Sequence, residues 1–208
     1  MNKKIGLSLI GMLLGFNALS ANAFSIDAVK GQYFTTETNA TNVDFDSGLP
    51  SFYSGGQLFS SSIPGVTSKP VGGEGKFWSI GDSGSQDKMG AISFESPVSY
   101  FGFLFGSPDS FNQVNFYSGS QLIGSLSGEQ LVPYMSGNGN TSFYINAYAG
   151  VGEVITLVML DSGENAIETD NHAYTVAVSA VPEPETYAMM LGGLAMMGLI
   201  ARRRKSVV

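Results

Sequence analysis

Four residues with side-chain oxygens, in the C-terminal part of the sequence, have the types and the spacing that a metal-binding site would need. Asp161, Glu168, Asp170 and Asn171 fall within the eleven residues of "DSGENAIETDN". Hard oxygen ligands of this kind are what Ca²⁺ takes, so the segment is a candidate Ca²⁺ site. It lacks the central glycine and the final glutamate of an EF-hand loop. The same residues are also typical of a turn and of a strand end that hydrogen-bond to the backbone, and this second interpretation is the one we favour.

Catalytic motifs give little support for an enzyme. His172 is the single histidine, cysteine is absent, and no G-x-S-x-G, H-E-x-x-H or Walker-type sequence occurs. His172 opens a predicted strand, which favours an edge residue over a general base. We therefore predict a protein without catalytic residues. The alternative is an extracellular glycan-active hydrolase, because two acidic residues distant in sequence can form a carboxylate pair.

Aromatic residues suggest a second kind of site. Trp78 is the only tryptophan, and Tyr117 and Tyr144 lie on predicted strands. Sugar rings stack their apolar C–H faces on such side chains, so these three residues are candidate glycan contacts. The competing interpretation is ordinary packing, since aromatic residues favour strands in any case.

Short alternating segments between turn formers must position these residues. The sequence predicts strands over 31–38, 75–81, 89–95, 98–106, 112–118, 121–127, 141–149, 153–161 and 172–179. In 141–149, Phe143, Ile145 and Ala147 share one face and Tyr144 lies on the other. Residues 47–73 are rich in glycine and proline and predict a long loop with one edge strand. The fold class is all-β, an antiparallel β-sandwich and most typically a jelly roll, flanked by an N-terminal signal helix and a C-terminal transmembrane helix.

The N-terminal residues 1–23 have the parts of a secretory signal peptide. Lys3 and Lys4 precede an apolar stretch, and Ala21 and Ala23 form an A-x-A cleavage site. The exported domain then covers 24–180. It holds fifteen of the seventeen acidic residues but only four of the ten basic ones, a balance that repels nucleic acid.

The C-terminal residues 181–205 combine three parts. Val181, Pro182, Glu183 and Pro184 open an extended stretch (181–186), because proline cannot continue a helix or a sheet. Residues 187–201 carry no charge and would span about 22 Å as a helix, a thin transmembrane segment. The basic cluster that follows (202–205) predicts a cytoplasmic C-terminus. It consists of Arg202, Arg203, Arg204 and Lys205.

This order of parts resembles the PEP-CTERM sorting domain, whose tail is also named the ice-binding protein C-terminal domain. The resemblance implies a Gram-negative bacterium, processing by an exosortase and a link to extracellular polysaccharide or biofilm. The ice-binding name implies no activity for this chain. We expect passage through the inner membrane, a transient anchor there, and a final place at the cell surface or outside the cell.

Residues 90–178 are similar to the family of exosortase-dependent surface proteins. Phe101-Gly102-Phe103, Gly106-Ser107, Asp109 and Asn112 carry the likeness, and 165–174 resembles the family's closing strand. Phe105 stands where that family has Trp, which weakens stacking there, and Ile167 stands where Phe is usual. This resemblance carries over no activity. From the aromatic residues and the acidic charge we expect a structural or adhesive role with weak glycan binding, and no nucleic-acid partner.

Overall fold

The computed structural model describes residues 23–82, 87–131, 141–178 and 189–197. Its strands are β1 (Ser25–Lys30), β2 (Thr41–Val43), β3 (Tyr53–Ser54), β4 (Gln57–Phe59), β5 (Phe77–Ile80), β6 (Met89–Gly106), β7 (Asn112–Ser118), β8 (Gln121–Ser127), β9 (Ser142–Tyr148), β10 (Ile155–Ser162) and β11 (Ile167–Val176). A 3₁₀ turn, η1, covers Gly128–Gln130, and residues 189–197 are helical.

The long strand β6 organises the sheet. Its first half, from Met89 to Val98, pairs with β10 and with β3, and its second half pairs with β11 and β9. The sequence predicted two strands here, over 89–95 and 98–106, and the structure joins them into one. The β10 ladder skips the residues just before Val98, where Pro97 has no N–H to donate. The chain therefore passes at this point from one group of strands to another.

Both groups of strands contribute to one hydrophobic core. Phe101, Phe103 and Phe105 of β6 face this core together with Phe116 of β7 and Ile145 of β9. The predicted alternation of 141–149 is confirmed, since Phe143 and Ala147 also join the core. Every strand pair in the described ranges is antiparallel, which confirms an antiparallel all-β fold.

Glycines on the outer face of β6 leave room for neighbouring residues. A Cβ on Gly102 would lie 2.1 Å from the hydroxyl of Tyr100, and one on Gly106 would lie 2.8 Å from Pro70. The Phe-Gly alternation of "FGFLFG" thus has a packing reason on both faces: phenylalanine fills the core, and glycine admits side chains from outside.

Several boundaries differ from the sequence prediction. Residues 31–38 form no strand, β1 lies just before them, and β11 begins at Ile167 rather than at residue 172. A jelly roll is not confirmed, because the hydrogen-bonded order β4-β5-β11-β6-β10-β7-β8 runs continuously through β6.

Residues 1–22, with the predicted signal helix, lie outside the described residues. So do 187–188 and 198–201 of the predicted transmembrane segment, and no helix in the described part reaches the length and hydropathy of a membrane span.

Candidate functional site

Glu168 lies on the outer face of β11 beneath the loop before β5. Its carboxylate oxygen Oε1 accepts a hydrogen bond from the Ser68 N–H at 2.8 Å and one from the Thr67 hydroxyl at 3.2 Å. The side chain is only 4% exposed. Burial raises the pKa of Glu168 to about 7, and the bonds from Ser68 and Thr67 offset only part of that rise. The loop therefore covers a carboxyl group whose pKa is close to neutral pH.

Asp170 is the second acidic residue on this face, and it is completely buried. The Asn171 N–H donates to its Oδ1 at 2.8 Å, whereas no direct hydrogen bond to Oδ2 is found among the described residues. Gly73 passes so close that a Cβ there would lie 2.5 Å from Oδ2. Burial raises the pKa of Asp170 to about 7, opposed by the Asn171 N–H and by the charge of Lys69.

A β-bulge follows at Asn171, which has a positive φ of 49°. The pairing with β6 shifts register between Asp170 and Ala173. Asparagine tolerates this backbone conformation better than most residues. Its amide donates to the Tyr33 carbonyl at 2.9 Å, and its own carbonyl accepts the Tyr144 hydroxyl at 3.1 Å. The bulge ties an outer loop to the sheet and turns the next residue, His172, inward.

The four predicted calcium ligands do not form one site. Asp161 lies half-buried on β10, paired with Met89 of β6 and Gln113 of β7, whereas the other three residues belong to β11. Across the described residues, no group of three or more carboxylate or histidine side chains could hold a metal ion. The sequence spacing was misleading because a turn and a change of strand separate Asp161 from Glu168.

His172 is a core residue rather than the edge residue that the sequence predicted. Its exposure is 0%, and burial lowers its pKa to about 3. Five aromatic rings surround it at centroid distances from 4.9 to 6.1 Å: Phe45, Tyr53, Trp78, Phe101 and Phe103. A buried imidazole enclosed by aromatic rings has no path for exchanging protons with a substrate.

Two of the three candidate glycan contacts are also interior. Trp78 and Tyr144 are both 0% exposed, and the Trp78 Nε1 donates to the Gly55 carbonyl at 2.9 Å. Neither ring can offer a face to a sugar, so the stacking prediction is wrong for these two residues. Tyr117 is half-buried on β7.

A surface pocket of 240 Å³ lies beside the bend in β6. Its lining combines aromatic, apolar, hydroxyl and acidic side chains: Ser51, Phe52, Phe94, Glu95, Ser96, Tyr174 and Val176. The ring centroids of Phe94 lie 6.0 Å from Phe52 and 5.6 Å from Tyr174. Sequence reasoning missed this pocket because its residues come from three distant segments, and no linear pattern joins them.

The tail matches a known family model. Residues 180–205 match the family model of the PEP-CTERM protein-sorting motif. This range contains both the Pro-Glu-Pro residues and the basic cluster, which lie outside the described residues. The motif supports an exported surface protein, targeted to an exosortase through a membrane-associated C-terminal sorting tail. Neither a curated protein nor a solved structure matches the chain.

Proposed function

We propose that this chain is a non-enzymatic protein of the cell surface or extracellular matrix, with a structural or adhesive role linked to exopolysaccharide. The observation that carries this proposal is the sorting motif at residues 180–205, which begins four residues after β11 ends at Val176. A β-sheet domain in front of a sorting signal is suited to being cargo.

The route of export follows from the charges and prolines of the chain. The signal peptide 1–23 is removed during passage through the inner membrane of a Gram-negative cell. The apolar segment holds the chain there, and the basic cluster keeps the C-terminus in the cytoplasm. Exosortase then cuts near Pro182 and Pro184, and the domain reaches the surface.

Intact-mass measurement of the surface form tests this route. We expect a chain that begins at Phe24 and ends before residue 187. A Pro182→Ala/Pro184→Ala variant should accumulate in the inner membrane, while Pro64→Ala, an exposed loop proline, should be released normally. A released chain that still carries Arg202 to Lys205 would contradict the proposal.

The absence of catalysis is also part of the proposal. Glu168 and Asp170 are two carboxyl groups with raised pKa values, and both are buried under a loop, so a glycosidic bond has no access to them. Incubation with polysaccharide from the producing cells should release no reducing sugar. Release of sugar that Glu168→Gln abolishes would favour a glycan-active hydrolase instead.

A further inference from the structure

We propose that the pocket beside the bend of β6 binds a sugar unit that carries no negative charge. This inference rests on the proposed function and narrows its ligand class. The pocket is defined by Phe52, Phe94, Glu95, Tyr174 and the residues beside them. It is distinct from Trp78 and Tyr144, which are buried.

The wall of the pocket is aromatic. Phe52, Phe94 and Tyr174 are all half-buried and pack against one another, with a Phe52–Tyr174 centroid distance of 6.0 Å. A pyranose ring has an apolar C–H face that can contact such a wall, and burial of apolar area from both partners would stabilise the complex.

The rim of the pocket is polar and supplies the partners that sugar hydroxyls need. Glu95, Ser51 and Ser96 are exposed at its edge. The carboxylate of Glu95 accepts hydrogen bonds, and the two serine hydroxyls can donate or accept. An apolar wall with a few polar groups at one side is the common plan of small-ligand sites.

Charge decides which sugars fit. Among the residues that the structure describes, no lysine or arginine lines the pocket, and Glu95 is its only acidic residue. The surrounding exported domain has an excess of acidic over basic residues. A uronate or sulfated unit would therefore meet repulsion without a compensating cation, whereas a neutral unit would not and an amino sugar would gain attraction.

The size and setting fit a single ring of a longer polymer. The volume of 240 Å³ is below the roughly 300–1,000 Å³ typical of pockets for drug-sized ligands. The site is held in place from two sides. The Ser93 N–H donates to the Phe52 carbonyl at 2.8 Å, and the Ala177 N–H donates to the Pro97 carbonyl at 2.9 Å. Both bonds fix the flanks of the bend, so the pocket is formed before a ligand arrives.

Titration calorimetry on the full chain in a sugar-free non-ionic detergent tests the proposal. The probes are six-unit oligomers of glucose, of glucosamine and of a uronic acid. We expect binding of the glucose oligomer, the glucosamine oligomer or both, and none of the uronate. Glu95→Lys should weaken that binding about tenfold, the loss expected for one charge-assisted hydrogen bond. Glu129→Lys makes the same charge change at an exposed residue of η1 and should leave binding unchanged.

Four results would overturn the assignment: no binding of any oligomer, uronate binding as tight as that of glucose, equal losses in the two lysine variants, or no loss in Glu95→Lys. Concentration-dependent self-association that Glu95→Lys abolishes would also overturn it, since a second copy would then occupy the pocket. Failure here is separate from failure of the proposed function, because the mass of the surface form is measured without any sugar.

Discussion

The hydroxyl of Tyr53 lies 3.0 Å from Nδ1 of His172, a contact between residues 119 positions apart. Both side chains are buried, and burial raises the pKa of Tyr53, so its hydroxyl keeps the proton. We expect that hydroxyl to donate to Nδ1. The imidazole proton then sits on Nε2, which has no hydrogen-bond partner in the part of the chain that the structure describes. This atom lies among aromatic rings, where an N–H can point at a ring face.

His172 should therefore stay neutral in the folded protein under mildly acidic conditions. An unfolded histidine takes up a proton around pH 6.5, but the folded one does so only around pH 3. Between these two pH values the unfolded state thus binds more protons than the folded state. The contribution of His172 to the free energy of unfolding is therefore fully present above pH 6.5 and is lost as the pH falls toward 3. The shift of this pKa corresponds to a loss of free energy of unfolding on the order of 5 kcal/mol.

A Tyr53→Phe/His172→Leu variant isolates this effect, because it removes both hydrogen-bonding partners and the only histidine. Its free energy of unfolding, measured with urea at pH 7 and at pH 4, should fall less than that of the native chain. Equal losses in the two proteins would show that His172 does not resist protonation.

Glu168 should make the stability depend on pH in the opposite direction. Its pKa rises from 4.5 to about 7 on folding, so the folded state binds more protons in this interval. Its contribution is fully present below pH 4.5 and is lost as the pH rises through about 7. Glu168→Gln keeps an acceptor for the Ser68 N–H and should gain on the order of 2–3 kcal/mol over the native chain at pH 8, with little gain at pH 4. Glu129→Gln, at an exposed position, should show no such pH-dependent gain in the same urea titrations.

The strands that the sequence predicted well are those with clean alternation. Residues of β7 and β9 alternate between apolar and polar side chains, so the type and approximate limits of these strands follow from a period of two. The start of β11 was missed because Glu168 and Asp170 are acidic yet buried under a loop. The bulge at Asn171 then breaks the alternation of side chains between the two faces of the strand. The inward direction of His172 could therefore not be predicted from its position in that alternation.

The candidate sites were less predictable than the strands. Asp161 and Asp170 are close in sequence, but the structure does not bring them into one metal site. Phe52 and Tyr174 are far apart in sequence and line one pocket. Distances between strands depend on the sheet order, which pattern and spacing do not encode. The sorting motif is the exception, because a linear peptide is recognised by its order of residues.

Gly102 should not tolerate a side chain. A Cβ there would meet the Tyr100 hydroxyl at 2.1 Å and the Tyr144 ring at 2.9 Å. Overpacking of this kind costs about 1–3 kcal/mol, so Gly102→Ala should lower the urea midpoint. Gly163→Ala is the matched control, because its Cβ would have an ordinary nearest contact of 3.4 Å. In a Tyr100→Phe background the cost of Gly102→Ala should shrink, since the closest atom is gone. An unchanged cost would mean that the Tyr100 hydroxyl is not the obstacle.

Trp78 provides a direct test of the core and of the pocket assignment together. As the only tryptophan, it accounts for all indole fluorescence, and it is completely buried with its Nε1 bonded to Gly55. Its emission should be blue-shifted and resistant to iodide quenching until the protein unfolds. Sugar oligomers that bind beside Phe94 should leave the emission unchanged, because Trp78 does not line that pocket. Iodide quenching of the native protein as strong as in urea would show that the indole lies at the surface. A spectral shift on sugar addition that Glu95→Lys does not affect would make Trp78 the sugar contact instead of the pocket.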